Sequence, residues 1–388
     1  MVSSLNLKDV EKEIRKSRVQ FTFVRSASKS RLDRAYASDM IITQVQNIKT
    51  VPLAFSDHHG VVIKLSINDT SNVILYGRNY WKLNSFLFKI DDITEKFKTM
   101  YENLKARNSF LNLNFWWNSV FKTNVKKLFK HESFIRNQQI NREKSFYYQC
   151  LLEIFEQQQR GEFLRDEMSI VKSKLMKIEN QNMEFYKHTF QTNTLLEDEK
   201  LGIFQLSNRI KNSSQSRILR LKIDGKSTSD ITVIKNTVFS YFSQRFEESS
   251  NEQLNYDDVL KCVKNKLTRN DKEYLIRPIQ LSEVKFALEK SSSRSSPGPD
   301  GLNYSFYTFF YDIVKNDLLN LFNSYLCDGD YPPALFSAGI ITLIPKKGDS
   351  MDLSNRRPIS MLNTDCKLFT KILWHRLQPL LSRLLGPG

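Results

Sequence analysis

Hydrophobic positions divide this chain into stretches of different period. Between Gln20 and Ile67 they come in short β-rich runs, Gln20 to Val24, Ala35 to Thr43 and Val61 to Ile67, separated by Ser, Lys and Asp turn residues. This predicts the edge of a β-sheet layer. From Trp81 to about Arg209 the period turns helical, and Trp117, Phe121, Val125 and Leu128 fall on one face. Farther on, Leu164, Met168, Val171, Leu175, Ile178, Asn182 and Phe185 alternate steps of four and three. That is the heptad seam of a coiled coil or a helical hairpin, with a polar residue at one seam position. Residues 164–185 would make a rod of about 33 Å. An ordinary core-facing helix carries the same pattern, so self-association through these residues is one expectation of two.

Later segments are shorter. Ile218 to Lys226 reads as a strand with an Asp-Gly turn, followed by a helix capped by Asp230 and running through Ile234, Val238, Tyr241, Phe242 and Phe246. Residues 249–258, polar and acidic, read as a linker. Helical patterns return at Asp257 to Lys266 and at Ser282 to Lys290, the second with Ser282 as its cap and Glu283 in its first turn. Proline sharpens the division: after Pro52 the next is Pro278, and a stretch that long without proline suits long helices.

Composition adds a partner. The length of 388 residues accommodates two or three domains. A composition 40% hydrophobic and 12% aromatic can build packed cores, which argues against global disorder. The net charge of +16 suits a polyanion, nucleic acid being the commonest, although a merely basic soluble protein has the same balance. Cys150, Cys262, Cys327 and Cys366 are scattered, without zinc-ligand spacing, and read as core thiols of a reducing compartment. No apolar stretch resembles a signal peptide or a membrane span. The expectation is an intracellular protein of nucleus or cytoplasm, neither secreted nor membrane-bound.

Two constellations carry candidate chemistry. The first is Ser30-Arg31-Leu32-Asp33-Arg34-Ala35-Tyr36 followed by Ser56-Asp57-His58-His59-Gly60-Val61. A histidine in a loop before a strand, with carboxylates nearby, can act as a general base or contact a phosphate; paired surface histidines in a polar turn are the plainer alternative. These segments resemble the carboxyl-terminal motifs of the exonuclease-endonuclease-phosphatase family. The resemblance implies that Asp33 orients His58, that His58 contacts the scissile phosphate, and that Asp57 sits by the metal. The family's other metal ligands lie upstream of such motifs, where only about 20 residues precede Phe21, and a site without them is not expected to cut DNA.

The second constellation is Pro297-Gly298-Pro299-Asp300-Gly301, then Ile344-Pro345-Lys346-Lys347-Gly348, then Arg356-Arg357-Pro358-Ile359-Ser360, then a helix from Cys366 to Leu385. Two strands meeting at a basic tip would present cations to a triphosphate or a nucleic-acid backbone, though charges at hairpin tips are commonly just solvated. In order and spacing these motifs are similar to the fingers of non-LTR reverse transcriptases. The resemblance implies that Lys346 and Arg357 contact the incoming nucleotide, with Lys347 and Arg356 in the same basic patch. Trp81-Lys82-Leu83-Asn84 resembles the segment joining nuclease to polymerase in these elements.

Such polymerases hold two metal ions on a downstream Asp and on a Tyr-x-Asp-Asp pair. Neither element follows the fingers motifs here. Tyr256-Asp257-Asp258 lacks the intervening residue and precedes the fingers, so it reads as the solvated start of a helix.

These readings predict an α+β fold in three parts: a β remnant of a two-layer endonuclease sandwich (residues 1–70), a long helical linker (71–250) and partial reverse transcriptase fingers (251–388). The expected function is that of a catalytically incomplete piece of a retrotransposon RNA-directed DNA polymerase with endonuclease. RNA and DNA are its expected partners, and Mg²⁺ serves the complete parent but is not expected on this stretch. The alternative is a non-enzymatic basic helical protein that binds nucleic acid or oligomerises.

Overall fold

The computed structural model describes residues 7–15, 20–25, 28–66, 80–160, 164–190, 218–247, 266–293 and 295–385. The expected linker at 249–258, the Tyr256-Asp257-Asp258 element, the helix to Lys266 and Cys262 lie outside these residues. Small antiparallel sheets and many helices make the fold α+β. The chain forms two compact units, one of Met1–Asn79 with His131–Lys187, the other of Tyr80–Lys130 with His188–Gly388.

In the first unit, Val45–Pro52 pairs antiparallel with His59–Leu65, from Pro52 opposite His59 to Val45 opposite Leu65. The first of these strands is absent from the reading of the sequence, although Ile48, Thr50 and Pro52 turn inward at period two. The expected strand Ala35 to Thr43 shrinks to Tyr36–Ala37, which pairs with Lys8–Asp9. The helical turn Asp39–Ile42 follows it, because Ser38 and Asp39 suit a helix start better than a strand. Val10, Ala37 and Ile48 pack together, and Arg15 Nη2 donates to the Ile48 carbonyl at 2.6 Å. The Arg31 guanidinium clamps Asp9 at 2.7 Å and Glu11 at 2.9 Å, so the Ser-Arg-Leu-Asp motif anchors the amino-terminal helix.

The helices Lys122–Arg160 and Arg165–Phe190 run back along one another, with Lys144 paired to Glu179 at 2.8 Å. Leu175 and Ile178 of the heptad seam are buried, and Leu175 shares a cluster with Leu151 and Ala54. The seam is therefore met inside the chain, as a hairpin. Of the last seam position, Phe185, the backbone alone is described.

His59 belongs to this core. It is 3% exposed, its ring lies edge-on to Phe155 at 4.6 Å, and neither ring nitrogen has a hydrogen-bond partner. Burial, then the charges of Lys172 and His58, push its pKa down to about 4.

The second unit is built around aromatic rings. Phe97, Trp117, Phe121, Phe129, Phe306 and Phe310 are all essentially inaccessible, and Phe97 and Phe310 have ring centroids 4.0 Å apart. The wider π-helical turn Trp116–Phe121 directs Trp116, Trp117 and Phe121 into this core together. A β-hairpin pairs Gly339–Pro345 with Arg356–Leu362, and Thr364–Leu385 follows as a helix, as the sequence predicts. The strand pair Leu221–Ile223 and Lys226–Thr228 turns at Asp224 and Gly225, both at positive φ. Asp230 caps the next helix by accepting from Thr232 N at 2.8 Å.

One expected cap moves: the helix Leu281–Glu289 starts after Gln280, whose backbone N–H donates to Glu283 at 3.0 Å. Ser282 is thus inside the first turn, because Glu283 closes the capping pair with Gln280, two positions before the expected cap. Of the cysteines expected in the core, Cys366 is buried, Cys150 half-buried and Cys327 exposed at the end of the helix Tyr311–Leu326.

The Pro-Gly-Pro-Asp-Gly turn sits inside this unit. Lys122 Nζ lies 2.7 Å from Asp365 Oδ2 and 3.1 Å from Asp300 Oδ2, all three side chains being buried. Trp117 Nε1 donates to the same Asp365 oxygen at 2.9 Å, and Asp300 N donates to Asn363 Oδ1 at 3.1 Å. A Cβ on Gly298 would stand 2.4 Å from Asn363 N, and one on Gly301, at φ +76°, would stand 2.3 Å from Trp81 O. Both glycines are therefore dictated by backbone approach. Leu83 N donates to Gly301 O at 3.0 Å, so the Trp81-Lys82-Leu83-Asn84 segment is built into the same unit. Burial pulls the Lys122 ammonium down, but the two carboxylates outweigh it and its pKa lies above the ordinary lysine value. For Asp300, burial outweighs the lysine and the carboxyl is pushed up.

Removing the cation from this triad leaves two carboxylates facing one another away from water. Lys122→Met is expected to lower stability by about 3–5 kcal/mol. The loss should grow as pH rises, because the stranded carboxylates hold a proton in the folded state that they release on unfolding. Chemical denaturation at pH 5 and pH 8 measures both; an equal, small loss at the two values would contradict the account.

His59 gives the opposite slope. Its folded pKa is depressed, so below the ordinary histidine value of about 6.5 the unfolded chain takes up a proton that the folded chain refuses. The first unit should hold its full stability above that pH and lose it progressively down to about 4. The His59→Leu variant should lack this part of the slope in denaturation curves recorded across the same range.

Candidate functional site: a histidine–aspartate dyad and a basic hairpin tip

In the first unit the two motifs read from the sequence meet. His58 Nδ1 lies 2.8 Å from Asp33 Oδ2. An ionised carboxylate only accepts, so Nδ1 carries the hydrogen of this contact. The His58 hydrogen bond holds the Asp33 carboxyl below the usual carboxylate range. Both side chains are partly open, 41% and 44% exposed, so a substrate could reach them.

The loop is fixed from several sides. Thr22 Oγ1 accepts from Leu32 N at 3.0 Å and Asp33 N at 2.9 Å, His58 N donates to Ser56 Oγ at 3.0 Å, and His59 N donates to Thr22 O at 2.7 Å. Asp57 is exposed. A residue that the sequence reading passed over also reaches this loop: Lys172 Nζ donates to Ser56 O at 2.5 Å, beside Asp57. Burial lowers its pKa and Asp57 works against that. No local signal identifies Lys172, since it lies on a helix far along the chain and is brought in only by folding. Among the described residues no three His, Cys, Asp or Glu side chains come together as a metal cage. What the loop presents is a hydrogen-bonded, partly exposed imidazole–carboxylate pair.

In the second unit the paired strands place Arg356 opposite Pro345 and Arg357 opposite Ile344, and Lys346 N donates to Asn355 O at 2.7 Å. Lys346, Lys347 and Arg357 are exposed at this end of the hairpin. Lys346 Nζ donates to the Ser354 carbonyl at 3.2 Å, which sets its ammonium against the turn. Ile341, Ile344 and Ile359 are each more than two-fifths exposed, so the strands present apolar surface beside the cations.

Arg356 differs from the expectation of a common patch. It is 3% exposed, and its Nη2 donates to Ser350 O at 2.8 Å. The reason is its place at the start of the strand, against the turn whose Ser350 carbonyl it reaches: Pro358 and Ser360, on the same face farther along, are exposed.

The hairpin is held at its other end by the buried triad. Asn363, which follows the second strand, accepts from Asp300 N and donates from Nδ2 to Leu335 O at 2.8 Å, and Asp365 opens the next helix. The basic tip thus stands on a rigid base while its own residues remain in water. No helix among the described residues is long and apolar enough to cross a membrane.

No family model matches the chain. Over its whole length the chain is 28% identical to the uncharacterized 149 kDa protein of transposon TX1 from Xenopus laevis, and it spans 30% of that protein. Over 100 residues, 26% of the chain, it is 29% identical to the RNA-directed DNA polymerase from mobile element jockey of Drosophila funebris, the match covering 11% of that polymerase. The chain thus spans less than a third of the length of these relatives. Both are proteins of mobile elements, and with the motifs described above they support a non-LTR retrotransposon protein.

Proposed function

We propose that this stretch is the nucleic-acid-gripping part of a retrotransposon RNA-directed DNA polymerase, with the end of an endonuclease-type unit ahead of it. The observation that carries the reading is the hairpin Gly339–Pro345 with Arg356–Leu362, whose exposed Lys346, Lys347 and Arg357 stand on a base locked by Lys122, Asp300 and Asp365. Separated, water-exposed cations on a fixed scaffold suit phosphates that follow one another along a backbone or a nucleotide tail. Apolar packing against Ile344 and Ile359 would add sequence-tolerant contact. Binding and positioning are the work of this stretch. Nucleotidyl transfer with Mg²⁺ is read as the work of the complete polymerase.

The dyad of Asp33 and His58 is read in the same way, as the part of an endonuclease site that orients an imidazole towards a phosphate. Asp57, next to His58 in sequence, is its candidate metal ligand. Without further ligands it would hold Mg²⁺ weakly, so this stretch is expected not to nick supercoiled plasmid DNA in Mg²⁺. Nicking that disappears in His58→Ala would overturn this part of the reading.

Binding should fall steeply with salt and show little sequence preference. Replacing Lys346 and Arg357 together by Ala should flatten the slope of log affinity against log salt by roughly two units, one for each phosphate that the variant no longer neutralises. Stability should be nearly unchanged, because charges at an exposed tip contribute little to it. Filter binding of an RNA oligomer and an RNA–DNA hybrid at several salt concentrations measures the slope. An unchanged slope would move the binding away from the hairpin.

A further inference from the structure

The second unit contains two buried arginines, and they are treated differently. Arg376, 1% exposed, uses all its donors. Its Nε and Nη2 each reach Glu283 at 2.8 Å, Nη1 donates to the Leu275 and Arg277 carbonyls at 3.0 and 2.6 Å, and Nη2 also donates to Pro278 O at 3.2 Å. This is how a structural guanidinium is satisfied: a counter-charge, and an acceptor for each N–H.

Arg356 has neither. It is 3% exposed, its one hydrogen bond runs from Nη2 to Ser350 O, and Nε and Nη1 have no partner. The carboxylates of its own turn are engaged elsewhere. Asp352 accepts from Ser354 N and Ser354 Oγ, both at 2.8 Å, and Asp349 Oδ1 accepts from Met351 N at 2.9 Å. The charged groups set against the adjoining turn and strand, Lys346 and Arg357, are themselves cations. Burial pushes the guanidinium pKa down, and no carboxylate counters it. A second donor without a partner lies in the neighbouring layer: Tyr241 Oη, on the helix whose Ile234 packs with Leu353 of the same turn.

A buried cation with two idle donors, no counter-charge and further cations beside it is the complement of an oxyanion. We propose that Arg356 is an anion-binding residue that takes a phosphate group beneath the turn at the end of the hairpin, distinct from the exposed contacts of Lys346 and Arg357. The ligand chemistry is a phosphate oxyanion bound through the guanidinium fork, supplied either by a nucleic-acid backbone or by the phosphate tail of a nucleotide. Access requires only a local change, because Ser350, whose carbonyl holds the guanidinium, is exposed. The inference deepens the proposed grip on nucleic acid and rests on that reading for the source of the phosphate.

The test uses the full chain and two probes, sodium tripolyphosphate and a single-stranded RNA oligomer, titrated calorimetrically at constant ionic strength. Arg356→Met should weaken binding of at least one probe about tenfold or more, the effect of losing a charge-assisted hydrogen bond. Its melting temperature should equal or exceed that of the parent, since an unpaired buried charge has been removed. Arg356→Lys, which keeps the charge and loses the fork, should fall in between. The double variant Lys346→Ala with Arg357→Ala should still respond to Arg356→Met, which separates this site from the exposed tip. Weakening towards tripolyphosphate assigns a nucleotide-type tail, and weakening towards RNA alone assigns a backbone phosphate. Equal affinity of the parent, Arg356→Met and Arg356→Lys for both probes would overturn the proposal, as would a parent that binds neither. If Arg356→Met fails to fold, the comparison of Arg356→Lys with the parent decides by the same criterion.

Discussion

A single ammonium group, that of Lys122, holds the second unit in register. It neutralises Asp300 and Asp365 at distances of 3.1 and 2.7 Å in a place closed to water. Three segments distant in sequence meet there: the start of the helix Lys122–Arg160, the Pro-Gly-Pro-Asp-Gly turn, and the first turn of the helix Thr364–Leu385. Each carries a charge that would be costly to bury alone, so each needs the other two to fold. Gly298 and Gly301 are consequences of that meeting, because the backbones of Asn363 and Trp81 come too close for a side chain. So is the position of the hairpin, whose second strand leads directly through Asn363 into Asp365.

The first unit solves a different problem. Its β-strands form two-stranded pieces, and a sheet of two strands is marginal by itself in water. The helical hairpin supplies the missing cover: Leu151 and Leu175 close on Ala54, Phe155 on His59, and Lys172 on the Ser56 carbonyl. The loop that carries His58 is therefore held partly by helices that the motif itself does not include. A dyad that reads as a local sequence element is a tertiary construction, with Asp33, Thr22, His58 and Lys172 each from a different segment.

Charge in this protein is sorted by what surrounds it. The excess of cations over anions is a property of the whole chain, but exposed, compensated and uncompensated cations do different things. Lys346 and Arg357 stand in water. Arg376 is consumed by Glu283 and by carbonyls at a helix end. Arg356, one residue from Arg357, is buried without a counter-charge. Net charge predicts a polyanionic partner and is silent about which cations meet it.

The sequence by itself determined what depends on near neighbours. The helical period of Trp117, Phe121 and Val125, the Asp230 cap, the Asp224-Gly225 turn and two strands meeting at a basic tip near Lys346 and Arg357 were all legible, because dihedral preference and periodicity act over a few residues. The order of the motifs likewise resembled that of non-LTR retrotransposon proteins before any geometry was known. The tertiary structure alone decided that Arg356 is covered while Arg357 is open, that the heptad seam closes inside the chain, that His59 is buried beside an open His58, and that Asp300 is a counter-ion rather than only a turn residue. These outcomes turn on burial, and burial is set by segments far apart in sequence. A charged or polar side chain carries the same local pattern whether it ends in water or against a partner, and the free energies of those two fates differ by more than any local preference.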